Sequence, residues 1–193
     1  MKFAYADPPY PGQAKRLYGD HPDYAGEVNH AELIEHLVRD YPDGWALSTS
    51  ALALPDVLTM CPTGVRIAAW HKNNAPPIRT TGRWIWAWEP LIVAGGRQKR
   101  YETPDVYDAI SCRQPQSFPG MKSPVFTRWM LALLGATPVD TIDDLFGGSG
   151  LVAEEIKIFN HQPVMPLFEV DGVQSRYVDR RPGRRHHAFK TRG

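Results

Sequence analysis

The sequence lacks several features that would assign it to other classes of protein. It has only two cysteines in 193 residues, Cys61 and Cys112, which provide neither a disulfide framework nor a metal-ligand spacing. No apolar run approaches the roughly 20 residues that a membrane-spanning helix needs. The first residues form no signal-peptide pattern. The sequence therefore predicts a cytoplasmic protein with no membrane segment and no metal site.

Charge is nearly balanced over the whole chain but is unevenly distributed. The formal net charge is +1, yet residues 180–193 hold six basic residues and no acid. Without this tail, 16 basic residues stand against 21 acidic ones. The basic C-terminal tail is suited to holding phosphates, and the alternative is a solvated terminus. The chain length predicts a single domain, which we assign to residues 1–179.

Strand-like and helix-like segments alternate along the chain. Strands are predicted at 3–6, 45–48, 65–70, 83–89, 139–146 and 164–170. Helices are predicted from Asn29, over 54–60, from Ser123 to Gly135, and over 151–160. Within 83–89, the alternating tryptophans are predicted to pack together on one face. The alternation of strands and helices predicts an α/β fold with a parallel sheet, and the polar segment 98–120 is expected to be mostly irregular.

The first predicted strand ends in Asp7-Pro8-Pro9-Tyr10. Two prolines fix φ and remove backbone donors, so the Asp7 carboxylate and the Pro8 carbonyl have little freedom. Together with the Tyr10 ring, these two acceptors form a receptor for a flat group that carries an amine. The alternative is a strand that simply stops at a Pro-Pro turn.

A glycine-rich turn over 147–150 follows the predicted strand 139–146 and precedes a helix. Glu169 ends the next predicted strand. This order is typical of a nucleotide-type cofactor site, where glycines allow close approach and the acid accepts bonds from ribose hydroxyls. The G-x-G-x-x-G pattern of dinucleotide sites is absent, so a nucleoside cofactor without phosphates fits better. A sulfonium cation would be favoured by the nearby acids Asp144 and Asp7.

Together these segments resemble the S-adenosylmethionine-dependent exocyclic amino methyltransferases. The match is to their permuted branch (β-class), in which the catalytic motif precedes the cofactor motif. Asp7-Pro8-Pro9-Tyr10 resembles the D-P-P-[YW] motif, the segment 122–124 resembles the K-P element, and 144–150 resembles the D-x-F-x-G-[ST]-G turn. The segments 70–73 and 89–92 resemble the central strands. The resemblance covers nearly the whole chain and is closest to the small phage and prokaryotic DNA relatives of the messenger-RNA adenosine methyltransferases.

The resemblance implies a Rossmann-like methyltransferase fold with circularly permuted motif order and a central, mostly parallel sheet with helices on both faces. It implies S-adenosyl-L-methionine as the cofactor and the N6 amine of adenine in DNA as the methyl acceptor. The implied catalytic residues are Asp7, Pro8, Pro9 and Tyr10. The implied cofactor-binding residues are Ala6, Asp7, Lys122, Ser123, Asp144, Phe146, Gly147, Gly148, Ser149, Gly150 and Glu169.

In this interpretation, Asp7 and Pro8 accept hydrogen bonds from the adenine amine and localise its lone pair, while Tyr10 stacks on the base. Tyr10 stands where the closest branch usually carries Trp, which leaves the type of nucleic acid open. Asp7 favours adenine, because permuted cytosine-N4 enzymes more often have Ser at this position.

Several basic and polar residues are candidates for contact with DNA, from which the adenine would be flipped out of the duplex. They are Lys15, Arg16, His71, Lys72, Asn73, Arg97, Lys99 and Arg100. The segment 12–26 is expected to close over the base, and 98–120 is a short candidate target-recognition segment. Its small size favours a short recognition sequence, weak specificity or a partner that supplies specificity, and a homodimer is a further alternative. For each of these charges the alternative is a solvated surface residue.

Three other functions remain open. The first is methylation of RNA at adenosine N6, a less favoured substrate, and the second is methylation of DNA at cytosine N4. The third is a non-enzymatic, nucleic-acid-binding partner subunit of a methyltransferase. The intact Asp7 and the intact glycine turn disfavour this third alternative.

Overall fold

A six-stranded mixed sheet forms the centre of the protein in the computed structural model, which describes residues 1–11, 28–74, 87–99, 103–115 and 120–162. The strand order is β5-β3-β4-β2-β1-β6. The strands are β1 (Lys2–Ala6), β2 (Gly44–Ser48), β3 (Arg66–Lys72), β4 (Trp88–Gly95), β5 (Ala109–Cys112) and β6 (Thr141–Asp144). Only β4 is antiparallel to its neighbours, so five of the six strands point the same way.

Four helices lie among the described residues, and two of them begin at a side-chain cap. They are α1 (His30–Asp40), α2 (Leu54–Met60), α3 (Pro124–Leu134) and α4 (Leu151–Asn160). Asn29 caps α1 by accepting from the backbone N–H groups of Ala31 and Glu32. Ser123 caps α3 by accepting from the Phe126 N–H, and Gly135 ends it with a φ of 63°.

Two apolar clusters cover the two faces of the sheet. On one face, α3 and α4 pack against alternate residues of the central strands, with Phe3, Trp70 and Phe126 among the most deeply buried side chains. On the other face, α1 and α2 contribute Leu37 and Val57 to a separate cluster. The prediction of an α/β fold with helices on both faces of a mostly parallel sheet is confirmed.

The described residues of the segment 98–120 are irregular except 109–112, which form β5; four residues are too few to show strand alternation, and pairing with β3 decides their conformation. One detail of the prediction is wrong. Trp88 is 39% exposed rather than packed on an aromatic face, because it begins β4 at the rim of the sheet. Trp84 and Trp86 lie outside the described residues.

The predicted strand 164–170 and the basic tail also lie outside the described residues, so the domain limit at residue 179 stays a prediction. The described elements all belong to one unit that spans Met1–Pro163. Within the described part of the chain, no helix is both long and apolar enough to cross a membrane.

Candidate functional site

The carboxyl ends of the parallel strands bring the predicted catalytic segment next to several charged residues. Asp7 follows the end of β1 directly, and Lys72 is the last residue of β3. Because β4 runs in the opposite direction, its second residue, Glu89, lies at the same edge, paired in register with Trp70. Lys122 lies two residues before the start of α3, the helix that packs on the Phe3 and Trp70 face of the sheet. Ligands of open α/β sheets bind at this edge.

Lys122 joins two of these elements through its ammonium group. Lys122 Nζ donates a hydrogen bond to Asp7 Oδ2 at 2.8 Å. The same Nζ lies 2.8 Å from Glu89 Oε1 as an ion pair without hydrogen-bond alignment. Lys72 Nζ holds the other oxygen of Glu89, Oε2, at 2.5 Å. The side chains of Lys122 and Glu89 are 2% and 5% exposed, whereas that of Asp7 is 20% exposed. Asp7 is therefore the more accessible of the two acids, and among the lysines Lys72, at 17%, is the more exposed.

Burial and the opposing charges set the protonation of this cluster. Burial alone would raise the pKa of Glu89, but Lys122 and Lys72 outweigh it and lower that pKa to about 2. Burial raises the pKa of Asp7; Lys122 opposes this shift, and the charge of Glu89 adds to it. Burial would lower the pKa of Lys122, but Asp7 and Glu89 raise it well above its usual value. The opposing charges therefore favour the ionised forms of Glu89 and Lys122.

The aromatic and proline residues of the segment complete this part of the site. Pro8 is buried, and Pro9 and Tyr10 are partly buried. Burial, and next to it the charge of Glu89, raise the pKa of Tyr10 well above its usual value, so its hydroxyl stays protonated. Below the segment, the buried Tyr5 hydroxyl shares a hydrogen bond of 2.9 Å with Ser48 Oγ, which ties β1 to β2.

The glycine turn starts beside this cluster, because β6 pairs with β1 and places Asp144 opposite Tyr5. Both carboxylate oxygens of Asp144 are buried and have no hydrogen-bond partner among the described residues. Burial raises the pKa of Asp144 to about 6 and the charge of Asp7 acts in the same direction; the Phe146 N–H opposes them from a position outside hydrogen-bond geometry. A carboxylate in this state is suited to a cationic ligand.

The rest of the predicted cofactor-binding set falls into two groups. Gly147, Gly148, Ser149 and Gly150 are exposed, and no atom lies within 4 Å of a Cβ built on Gly147 or Gly150, so the turn has open space beside it. Ala6 and Ser123 are buried structural contacts, and Phe146 packs in part against the cluster on the α1 and α2 face. Glu169 lies outside the described residues.

The predicted nucleic-acid contacts are only partly brought together. His71 and Asn73 are exposed at the end of β3, where His71 Nδ1 lies 3.0 Å from Ser111 Oγ. Lys72 is engaged by Glu89. Lys99 is exposed and pairs with Asp105. Lys15, Arg16 and Arg100, like the loop 12–26, lie outside the described residues.

Arg97 is not brought to this edge of the sheet. It follows the end of β4, at the opposite edge, and makes two hydrogen bonds of 2.8 Å to the buried carboxylate of Asp140. Its Nε donates to the Gly135 carbonyl at 3.0 Å. These contacts join the end of β4 to the segment between α3 and β6, so in this structure Arg97 stabilises the fold at the edge opposite Asp7.

Two features of the edge were not predicted from the sequence. The first is the sharing of Lys122 between Asp7 and Glu89. The sequence signal for it was Glu89 itself, because an acid at the start of an apolar strand needs a buried partner. The second is Asn74, whose side chain donates to the Gln114 carbonyl and accepts from the Gln114 N–H. No sequence pattern indicates that pair, because it joins residues 40 positions apart.

Comparison with known proteins identifies the fold but not a close relative. No family model and no curated protein matches the chain. The fold is similar to the crystal structure of the M1.HpyAVI–SAM complex, with a TM-score of 0.56, 16% identity, and coverage of 83% of this chain and 78% of that one. It is also similar to the crystal structure of M1.HpyAVI, with a TM-score of 0.56, 16% identity, and coverage of 82% and 76%. The protein thus has a Rossmann-like methyltransferase fold.

Proposed function

We propose that the protein transfers a methyl group from S-adenosyl-L-methionine to the N6 amine of adenine in DNA. One observation carries the proposal: the partly exposed Asp7, held by Lys122, stands beside the unpaired carboxylate of Asp144 and the glycine turn. An amine acceptor and a cofactor-type turn are thus adjacent at the ligand-binding edge. The similar structure of the M1.HpyAVI–SAM complex supports the same cofactor.

The residues at the turn fit this cofactor. Asp144 offers two buried oxygens with no described hydrogen-bond partner, and the space beside Gly147 and Gly150 admits a close ligand. The first N–H groups of α4, which have no partner within the helix, would add donors for a carboxylate. Asp144 would hold a positive charge of the cofactor, and Glu169 would accept from its ribose. When bound, S-adenosylmethionine supplies an electrophilic methyl group on a sulfonium centre.

The chain's own residues would prepare the acceptor amine. The Asp7 carboxylate and the Pro8 carbonyl would each accept an N–H, which localises the nitrogen lone pair and stabilises the positive charge that develops there. Tyr10 would stack on the base and hold the nitrogen in line. The extra proton on nitrogen would leave to water after transfer. Acceptors that are fixed before reaction need no reorganisation during it.

Duplex DNA with the adenine flipped out is the proposed substrate, with the loop 12–26 closing on the base and the segment 98–120 contributing target contacts. The proposal includes the permuted class with a D-P-P-Y motif, near the phage and prokaryotic relatives of the messenger-RNA adenosine methyltransferases; the order of Asp7-Pro8-Pro9-Tyr10 before the glycine turn supports it. The described part of the proposed recognition segment is small, which favours a short target, a homodimer or a partner that supplies specificity.

The test is a methyl-transfer assay with labelled cofactor and either DNA or RNA, followed by digestion to nucleosides. We expect labelled N6-methyladenine from DNA. We also expect Asp7→Ala to bind the cofactor and lose turnover, whereas Asp56→Ala, an exposed acid on α2, keeps both. Label confined to RNA or to cytosine would refute the substrate assignment. No transfer together with no cofactor binding would favour a partner subunit instead.

A further inference from the structure

Glu89 is a buried acid that the proposed chemistry does not yet use. Its side chain is 5% exposed, and its two oxygens are held by different lysines, Lys122 at 2.8 Å and Lys72 at 2.5 Å. Lys122 is in turn held by Asp7 at 2.8 Å. A simple salt bridge would need one lysine and one acid, so the second acid calls for an explanation.

The arrangement divides the ammonium of Lys122 between two carboxylates. A lysine that paired with Asp7 alone would draw electron density from the carboxylate and weaken it as an acceptor for another N–H. Sharing with Glu89 reduces this effect, while Lys72 keeps the cluster neutral. Lys122 donates to Oδ2 of Asp7, and Oδ1 would be the acceptor for the incoming amine.

We propose that Glu89 is a positioning residue: by binding one side of Lys122, it keeps Asp7 fixed in place and a strong acceptor for the N–H of the substrate amine. This inference rests on the proposed function. Glu89 does not touch the reacting atoms itself; it acts through Lys122 and on the Tyr10 hydroxyl.

The groups that face Asp7 from the surrounding elements define the expected shift. Glu89 and Asp144 carry negative charge, Lys122 and Lys72 carry positive charge, and Tyr5 and Tyr10 are neutral. Replacing Glu89 by Gln removes one negative charge and allows Lys122 to turn wholly to Asp7. Both changes lower the pKa of Asp7, so the acidic limb of the pH–rate profile moves to lower pH. A loss of packing alone would not move the limb in this direction.

The experiment measures the Asp7 carboxyl titration by carbon-13 NMR and the pH dependence of kcat, in wild type, Glu89→Gln and Glu155→Gln. Glu155 is the matched control, because it is also a buried glutamate, 4% exposed and paired with Arg128 at 2.5 Å, but lies on α4 outside the site. For Glu89→Gln we expect the pKa of Asp7 and the acidic limb to fall by about one unit. We expect kcat to fall about tenfold, with KM for the cofactor within about twofold of wild type. Glu155→Gln should leave the titration of Asp7 unchanged.

The two proposals fail in different ways. If the wild type methylates no nucleic acid, the proposed function fails, while the NMR titration still decides whether Glu89 acts on Asp7. An unchanged or higher pKa of Asp7 in Glu89→Gln overturns the inference even if the enzyme is active. If Glu89→Gln does not fold, Glu89→Asp decides. It keeps the charge, so we expect an Asp7 pKa within about 0.3 unit of wild type, and a fall of a full unit overturns the inference.

Discussion

Replacing Lys122 by Met removes the buried charge that joins β1 to β4 and should destabilise the fold strongly. The ammonium lies 2.8 Å from both Asp7 and Glu89, and only 2% of the Lys122 side chain is exposed. Without it, two acids at the sheet edge share Lys72 as their counter-ion. Met keeps the length and the apolar stem of the side chain, so the change tests the charge rather than the packing.

The expected loss of unfolding free energy follows from the pKa of Glu89. Its pKa falls from an ordinary value of 4.5 to about 2, which corresponds to about 3 kcal/mol of preference for the charged form in the folded state. Lys122 is the larger of the two lysine contributions, and Asp7 loses its partner as well. We therefore expect Lys122→Met to lose about 3 kcal/mol of unfolding free energy at pH 7, in the range found when one partner of a buried ion pair is removed.

The pH dependence provides a second check with a definite sign. In the wild type, Glu89 has a depressed folded pKa, so its contribution is present above pH 4.5 and is lost as pH falls towards 2. In Lys122→Met the two acids share the single counter-ion Lys72 and their pKa values rise, so protonation stabilises the variant. The deficit relative to wild type should narrow between pH 7 and pH 5.

Urea unfolding followed by tryptophan fluorescence measures both quantities. Lys157→Met is the control, since Lys157 is exposed on α4 and its loss should cost less than about 0.5 kcal/mol. A Lys122→Met variant as stable as this control at pH 7, or a deficit that grows on acidification, would refute the electrostatic account of the cluster.

Two further substitutions test other parts of the described structure. Asp144→Asn should stabilise the protein at pH 8 more than at pH 5, because the pKa of Asp144 is raised to about 6 and its charged form is therefore unfavourable in the folded state. The same substitution should weaken cofactor binding. Equal stabilisation at both pH values in thermal unfolding would contradict this prediction. Gly135→Ala should cost more stability than Gly64→Ala. Both glycines have a positive φ, which costs about 1 kcal/mol for alanine. Of the two, only Gly135 would place an added Cβ close to another side chain, 2.8 Å from Arg97 Cβ. Equal losses in urea unfolding would show that this close approach relaxes freely.

The fold was accessible from sequence where local signals and burial agree. Asn29 and Ser123 mark helix starts through their side chains, and Gly135 marks a helix end because it has none. The helices begin and end at these residues, as predicted. Trp88 and β5 were not accessible, because their environment is decided by which strands become neighbours. A period of two in the sequence shows which side chains share a face, but not whether that face is covered.

The candidate site was likewise predictable from the sequence only in part. Asp7, Lys122 and Asp144 are predicted by motif and lie together at one edge of the sheet. Arg97 carries a charge that looks free in the sequence, yet Asp140 engages it at the opposite edge. Ion pairing between distant residues depends on three-dimensional proximity, so a list of basic residues predicts net attraction for phosphate but not which cations remain to provide it.

The reversed direction of β4 has a consequence for how this protein could acquire new targets. β3 ends at Lys72 and β4 begins at Trp88, so the connection between them leaves and re-enters the sheet at the edge that holds Asp7. Under the proposed function, residues inserted between these two strand ends would start and finish at the edge where the substrate is expected to bind. The strands that carry Glu89 and Lys72 would stay paired, so this stretch is a suitable place to graft a foreign recognition element.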